Sequence, residues 1–184
     1  MTTVIHFSFS LQLGKGKTNT HQALDCGAGI GRITKRLLLP MFDQVDMVEL
    51  NQNFIDDSKT FIGENFNRVD KQFCSGLQEF IPEVGRYDLI WSQWVLGHLT
   101  VEHLVTFFQR CQAGLAPNGI MVVKENVSGS TDTEFDDLDS SFTRSKESYV
   151  KAILDSGFTI LKEEKQKGFP KGLYSVFMFA LQKK

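Results

Sequence analysis

The sequence predicts an α/β domain built on a mainly parallel β-sheet that ends with an antiparallel strand. Short runs rich in β-forming residues alternate with helical patterns from Ala23 onward, as in successive β-α-β units. Near the C-terminus two further β-rich runs are joined by a glycine-containing turn, which is typical of an antiparallel pair. The 184 residues are about the length of one ordinary domain and can bury a substantial core.

The first five strands are predicted from β-rich runs whose spacing leaves room for a helix in nearly every gap. These runs span residues 22–25, 45–50, 71–74, 87–91 and 120–125. Two more strands are predicted at residues 158–163 and 174–181, on either side of a turn at residues 168–172. The seven runs predict a seven-stranded sheet whose C-terminal strand is antiparallel.

The clearest predicted helix covers residues 101–115, where apolar side chains recur at helical spacing. Thr100 is suited to cap its first turn, and the Pro117-Asn118-Gly119 sequence is expected to stop it. Two shorter helices are predicted over residues 31–39 and 147–155.

Composition excludes several classes of function. A net charge of -2 and a pI near 6.1 argue against a surface built to neutralise phosphates, so direct nucleic-acid binding is not expected. No run of eighteen apolar residues is present, so no membrane span is expected. The cysteines at positions 26, 74 and 111 lack metal-binding spacing, and we interpret them as reduced core thiols of a cytosolic or nuclear protein.

Three glycines, Gly27, Gly29 and Gly31, lie where the first strand ends and a helix is predicted to begin. The missing side chains let the backbone approach a ligand, and helix N–H groups point outward there, although a tight turn alone would also need glycine. Asp25 would repel a pyrophosphate but suits a cationic amino acid or a sulfonium. Glu49, at the end of the second strand, can accept from both hydroxyls of a ribose.

Four stretches, at residues 23–40, 76–80, 91–100 and 136–141, resemble the α-N-terminal protein methyltransferases. These eukaryotic enzymes methylate the exposed α-amine of Xaa-Pro-Lys proteins, and the Gln-Trp-Val-x-Gly-His-Leu-Thr string is specific to them. The resemblance runs from about residue 17 to residue 181. It implies a Rossmann-like class I methyltransferase, a protein N-terminal amine N-methyltransferase of the EC 2.1.1 class, with S-adenosyl-L-methionine as cofactor.

The resemblance also implies roles for individual residues. The family often has Asp where this chain has Glu49, which keeps the acceptor and lengthens the arm. Residues that would bind the cofactor are Gly27, Arg32, Glu49, Leu77, Gln78 and Gln93. Residues that would act in catalysis are Asn126, which orients the amine, and the pair His98 and Asp139, which takes its proton. Residues that would contact the substrate are Trp94, Asp136, Ser141 and Tyr174.

Simple chemistry is compatible with these roles. Methyl transfer from a sulfonium needs mainly an in-line approach and a neutral nucleophile, so a base such as His98 has to remove a proton from the amine. The acidic run at residues 132–139 makes a field that attracts cations, although a solvated loop with no binding role can have the same composition. A peptide with a free amine and a following lysine suits that field.

Residues 1–16 depart from the family, whose members begin with a helical extension over the cofactor. We interpret them as a divergent arm, either a short strand or a disordered segment, ahead of a methyltransferase domain at residues 17–184. Three hypotheses stay open: an active N-terminal methyltransferase, a non-catalytic form that binds a full-length paralogous methyltransferase, and a methyltransferase acting on another amine. The expected location is the cytoplasm and nucleus.

Overall fold

The computed structural model describes residues 17–168, 170 and 172–184, so the predicted arm at residues 1–16 and two residues of the predicted turn lie outside it. Seven strands form the main sheet: β1 (Gln22–Cys26), β2 (Gln44–Glu49), β3 (Val69–Cys74), β4 (Tyr87–Gln93), β5 (Leu115–Val127), β8 (Phe158–Lys165) and β9 (Ser175–Lys183). A separate hairpin consists of β6 (Glu134–Asp136) and β7 (Ser141–Thr143).

Three α-helices accompany the strands: α1 (Gln52–Ile62), α2 (Val101–Gly114) and α3 (Lys146–Asp155). Shorter helical segments are a π-helical turn at Thr34–Leu38 and 3-10 turns at Gly63–Arg68 and Leu96–His98. Within the described residues, no helix combines the length and the apolar character that crossing a membrane requires.

The strand order in the main sheet is β3-β2-β1-β4-β5-β9-β8. Strands β1 to β5 pair in parallel, whereas β9 is antiparallel to both of its neighbours. The predicted α/β class, the seven strands and the antiparallel C-terminal strand are therefore confirmed. The order reverses beside β1, and ligands of open α/β sheets bind at the carboxyl ends of the strands at such a point.

Apolar side chains cover both faces of the sheet. All seven residues of β4 are buried, and Trp91 in its centre is fully buried, as expected for a core residue. Helix α2 turns Leu104 and Phe108 into this core, and the Thr100 side chain accepts a hydrogen bond from the backbone N–H of His103, 3.3 Å away. The predicted cap of α2 is confirmed. Burial of its apolar face and the hydrogen bond at its first turn together hold the helix in place.

Two details of the prediction were wrong, namely the end of the clearest helix and the burial of Cys74. Helix α2 ends at Gly114, and Pro117-Asn118-Gly119 lies inside β5, where the register with β4 shifts, because Leu115 already packs as a buried strand residue. Cys74 is exposed because it ends the edge strand β3. By contrast, the helix expected at residues 31–39 is present over residues 32–38, but it is π-helical at Thr34–Leu38, since the N–H of Leu39 donates to the carbonyl of Thr34, five residues back.

Asp46 is the centre of a buried polar cluster in the sheet. Its side chain is fully buried and accepts hydrogen bonds from Gln22 Nε2, Arg86 Nε and the Tyr87 hydroxyl, each at 2.9 Å. The bond to Asp46 is the main cause that raises the pKa of Arg86 above its ordinary range. These donors lose their shared acceptor if the carboxylate is removed.

We expect Asp46→Ala to lower the free energy of unfolding by about 3 kcal/mol, because breaking a buried ion pair leaves its partner charged and unpaired. Urea denaturation followed by circular dichroism measures this value. The matched control is Lys151→Ala, which breaks the exposed Lys151–Asp155 pair and should leave stability almost unchanged. A loss below 1 kcal/mol for Asp46→Ala would show that the cluster contributes little net stability.

Candidate active site

A cavity of about 420 Å³ lies at the carboxyl ends of β1, β2, β3 and β4. Four of the six predicted cofactor residues line it: Gly27 follows β1, Glu49 ends β2, and Leu77 and Gln78 follow β3. Arg32 and Gln93 are not among the lining residues. Two further lining residues, Trp94 and His98, were predicted for the substrate and for catalysis. The remaining walls are mostly apolar and were not predicted: Val48, Leu50, Phe54, Ser75, Gly76, Val95 and Leu99.

The glycine turn is tied to the end of β2. The backbone N–H groups of Gly27 and Ala28 donate to the carbonyl of Val48 at 2.9 and 3.1 Å. The N–H of Gly29 donates to Glu49 Oε2 at 2.9 Å, and Asn51 N donates to Oε1 at 3.0 Å. Each carboxylate oxygen keeps a free lone pair for a hydroxyl donor. This donor set fits the ribose-binding role that the resemblance implies for Glu49.

Asp25 faces the start of the π-helical turn and does not line the cavity. Its side chain is almost fully buried, and Oδ2 accepts from the N–H of Thr34 at 3.0 Å and from its hydroxyl at 2.6 Å. Burial raises the pKa of Asp25 to about 6, although both bonds from Thr34 oppose the change. Through these bonds Asp25 anchors the segment that follows the glycine turn, and the expectation that its carboxylate stands beside the cofactor stays a prediction.

Asp25 should make stability depend on pH. Its folded pKa of about 6 exceeds the ordinary value of 3.8, so the folded state binds the proton more tightly and loses stability as pH rises between these values. We expect Asp25→Asn to gain up to about 3 kcal/mol relative to the parent between pH 4 and pH 7. Thermal and urea unfolding across this range measure the difference. The control is Asp57→Asn, which removes an exposed carboxyl and should leave the dependence of stability on pH as in the parent. If the stability difference between Asp25→Asn and the parent were the same at every pH, the raised pKa of Asp25 would be contradicted.

Trp94 lies directly after β4, has a left-handed backbone with φ 55°, and is 40% exposed. The guanidinium carbon of Arg32 is 5.5 Å from the centre of its ring, and Lys124 Nζ is 5.2 Å away. Lys124 is buried, and burial lowers the pKa of its ammonium. Gln93, the register partner of Lys124, is buried, and its Nε2 has no hydrogen-bond partner in the described part of the chain.

Gln93 Nε2 supplies a buried donor without an acceptor, and Arg32 and Lys124 bring two positive charges to the ring of the adjacent Trp94. A buried donor that lacks an acceptor costs free energy, and cations near it favour an anion. The amino-acid end of S-adenosylmethionine carries a carboxylate, its ribose carries hydroxyls, and its adenine is largely apolar. The donors near Trp94, the acceptor Glu49 and the apolar cavity walls therefore fit the three parts of this cofactor.

A second cavity, of about 230 Å³, adjoins the first at Trp94 and His98, which line both. It brings together the three predicted catalytic residues, Asn126 at the end of β5, His98 after β4, and Asp139 between β6 and β7. Predicted substrate residue Ser141 lines it too. Other lining residues were not predicted: Gly97, Glu125, Phe142, Thr143 and Tyr149.

Asp136 and Tyr174 lie outside the second cavity, in an outer cavity of about 380 Å³ that shares Thr143 with it. The Tyr174 hydroxyl donates to Glu134 Oε2 at 2.6 Å. Ser128 Oγ donates to the other oxygen of Glu134, and these two bonds lower the pKa of the Glu134 carboxyl. The predicted substrate residues are thus divided between two adjacent cavities.

The acidic run is part of a folded hairpin, which we call the acidic hairpin (residues 134–143). Its strands pair with Phe135 opposite Phe142, and these rings lie 4.9 Å apart. Two phenylalanines seven residues apart around the acidic centre were the available sequence signal. Among the residues that the structure describes, no three His, Cys, Asp or Glu side chains are grouped to hold a metal ion.

Comparison with known proteins gives consistent matches. Residues 5–182 match the family described as AdoMet dependent proline di-methyltransferase. The N-terminal Xaa-Pro-Lys N-methyltransferase 1-A of Xenopus laevis is 54% identical over 174 residues, which are 95% of this chain and 77% of that protein.

Solved structures agree with the observed fold. A SAM-dependent methyltransferase from Leishmania major superposes with a TM-score of 0.85 at 36% identity, over 90% of this chain and 65% of that one. An S-adenosylmethionine-dependent methyltransferase from Clostridium acetobutylicum gives a TM-score of 0.72 at 14% identity, over 90% and 85% of the two chains. The second likeness concerns the fold alone.

Proposed function

The chain belongs to the AdoMet-dependent proline di-methyltransferase family, and we propose that it methylates the α-amino group of proteins that begin with Xaa-Pro-Lys. One observation carries this proposal: His98, Asn126 and Asp139 line one cavity, and that cavity shares Trp94 and His98 with the cavity that fits the cofactor. An amine in the second cavity would be next to the methyl donor.

S-adenosylmethionine, the cofactor of this enzyme class, supplies a methyl group on a positively charged sulfur. Glu49 would hold the ribose, and the backbone at Gly27 allows close approach of the cofactor. Arg32, Lys124 and the unpartnered Nε2 of Gln93 would provide donors for its carboxylate. The protein's main contribution is to orient the two reactants, because methyl transfer needs an in-line approach.

The substrate amine must be neutral to react. A free α-amine has a pKa of about 8, so at neutral pH a base in the second cavity has to remove a proton that is already weakly held. His98 and Asp139 line that cavity and are the candidates to accept the proton. Asn126 offers an amide oxygen that can accept from the amine and fix its direction.

Recognition of a cationic peptide follows from the charges around the second cavity. Asp139 lines it, while Asp136, Asp137 and Glu134 line the outer cavity beside it. A substrate with an N-terminal ammonium and a lysine at its third position is attracted by these carboxylates, whereas a phosphate backbone is repelled. Trp94 presents an exposed ring on which the peptide can pack.

A paired peptide assay tests the proposal. The protein is incubated with S-adenosylmethionine and a peptide beginning Ser-Pro-Lys, and in parallel with its N-acetylated twin, and both are analysed by mass spectrometry. Methyl additions on the free peptide alone are the expected result. Additions on both peptides would place the reaction on the lysine side chain, and no addition on either, while S-adenosylmethionine still raises Tm, would contradict the proposed activity.

Cytoplasmic and nuclear location, and association with a paralogous methyltransferase, are further proposals based on the family resemblance. Localisation of a tagged chain in cells would test the first. Sedimentation of the purified chain mixed with a full-length relative would test the second, because a stable pair sediments faster than either protein alone.

A further inference from the structure

One short loop separates the cofactor cavity from the second cavity. We call residues 94–99 the shared-wall loop. Trp94 and His98 line both cavities, and Val95 and Leu99 line the cofactor cavity. A small displacement of this loop therefore changes both cavities and moves the two side chains that stand between them.

The loop does not have a conformation that it would adopt by itself. Trp94 has φ 55°, a left-handed value that side chains with a Cβ adopt rarely, and Val95 has φ -138° with ψ -24°. The 3-10 turn at Leu96–His98 is only three residues long and has no capping side chain. Contacts from other elements must hold this conformation.

Glu125 holds the shared-wall loop by accepting hydrogen bonds from the loop's backbone N–H groups. Glu125 is 4% exposed, is the last residue of the continuous buried run of β5, and precedes half-buried Asn126. Its Oε1 accepts hydrogen bonds from the backbone N–H groups of Val95 and Leu96, both at 2.9 Å. Hydrogen bonds from N–H groups to a carboxylate are stronger than those between neutral groups.

Arg144 holds the same loop by donating hydrogen bonds to the loop's backbone carbonyl groups. Its side chain is 1% exposed, Nη1 donates to the carbonyl of Leu96 at 3.0 Å, and Nη2 donates to the carbonyl of Leu99. The guanidinium lies over the rings of Phe142 and Tyr149, with centres 5.2 and 6.0 Å away. Leu96 is thus held at both its N–H and its carbonyl.

We propose that Glu125 and Arg144 are positioning residues for methyl transfer, which fix the shared-wall loop and thereby place Trp94 and His98 between the two cavities. This inference rests on the proposed function for its effect on the reaction, but the restraint on the loop is independent of the substrate. Neither residue needs to touch the reacting atoms.

The surroundings of Glu125 suit this role. Arg144 comes from the chain after β7, Tyr149 from α3, and His98 and Asp139 line the same cavity. Burial raises the pKa of Glu125 to about 7, while the bonds from the loop and the charge of Arg144 oppose this change. Glu125→Gln therefore imitates the protonated residue with little change in shape.

Hydrogen exchange measured by mass spectrometry tests the restraint directly. We expect Glu125→Ala and Arg144→Lys to speed exchange in the 95–99 segment at least about tenfold, with Glu125→Gln intermediate, because these amides open locally once their partners are lost. The matched control is Arg68→Lys. Like Arg144, Arg68 donates to backbone carbonyls, but to three of them, at residues 39, 42 and 43, ahead of β2 and away from the site.

Kinetics and binding test the effect on the reaction. We expect Glu125→Gln to lower kcat for the Ser-Pro-Lys peptide about tenfold and to weaken S-adenosylhomocysteine binding less than threefold, while Arg68→Lys changes neither. Exchange in residues 95–99 that stays at the parent rate would overturn the proposal, as would activity losses no larger than those of Arg68→Lys at equal Tm. If the parent protein does not methylate the peptide, the proposed function fails, and hydrogen exchange still decides whether the restraint exists.

Discussion

We expect Gly27→Ala to weaken the binding of S-adenosylhomocysteine by about 100-fold or more. A Cβ on Gly27 would lie 2.6 Å from Cγ2 and 2.7 Å from Cβ of Val95, which is part of the cofactor cavity and of the shared-wall loop. The residue also has φ +69°, where an L side chain costs about 1–2 kcal/mol, so the turn should leave the conformation that fits the cofactor. Each 1.4 kcal/mol needed to restore that conformation on binding is about a factor of ten in affinity. Isothermal titration calorimetry measures the loss.

Gly63→Ala separates the steric effect from the backbone effect. Gly63 has φ +75° at the end of α1, but a Cβ there would meet nothing within 4 Å. This variant should lose stability through backbone strain and bind S-adenosylhomocysteine normally. Equal losses of affinity in the two variants would show that general destabilisation, and not the close contact between Gly27 and Val95, controls binding.

We expect Asn126→Ala to lower kcat/KM for a Ser-Pro-Lys peptide by about 10²–10³, as the removal of one well-placed polar group from an active site does. Asn126 is half-buried in the second cavity, with His98 and Asp139 among the other lining residues, and is absent from the walls of the cofactor cavity. Affinity for S-adenosylhomocysteine should therefore stay within about threefold of the parent value.

Steady-state kinetics and calorimetry on the same preparations measure these two quantities. Asn67→Ala is the matched control, because Asn67 is exposed in the 3-10 turn ahead of β3, at the opposite edge of the sheet. Asn67→Ala should change neither kcat/KM nor the affinity for S-adenosylhomocysteine. If Asn126→Ala retained more than half of the parent kcat/KM, Asn126 would not be the group that orients the amine.

The positions of the strands along the chain were predictable because each strand carries its own local signal. Apolar β-rich runs such as that of β4 are buried on both sides in a parallel sheet, so the sequence and the final environment agree. Where local and tertiary preferences differ, the prediction was wrong. Pro117-Asn118-Gly119 has the pattern of a helix stop, yet packing of Leu115 against β4 had already ended α2 three residues earlier.

The candidate site was predictable to different degrees. The glycine turn and Glu49 follow strand ends, so their proximity is a consequence of a parallel sheet and could be inferred from spacing. The grouping of His98, Asn126 and Asp139 came from family resemblance, since they follow three different strands of two sheets. Nothing local distinguishes Arg144 from a surface arginine, because its role depends on carbonyl groups 45 and 48 residues away in the chain.

The acidic hairpin lies on a separate stretch of chain from the cofactor cavity, between β5 and α3, and none of its residues lines that cavity. Natural selection can therefore alter which protein N-termini are accepted while the cofactor is bound as before. A library of variants randomised over residues 134–138 should change peptide preference and keep S-adenosylhomocysteine affinity within about threefold, since distant sites contribute independently. The hairpin is thus the part of the chain in which substitutions should change the proposed peptide preference and leave cofactor binding intact.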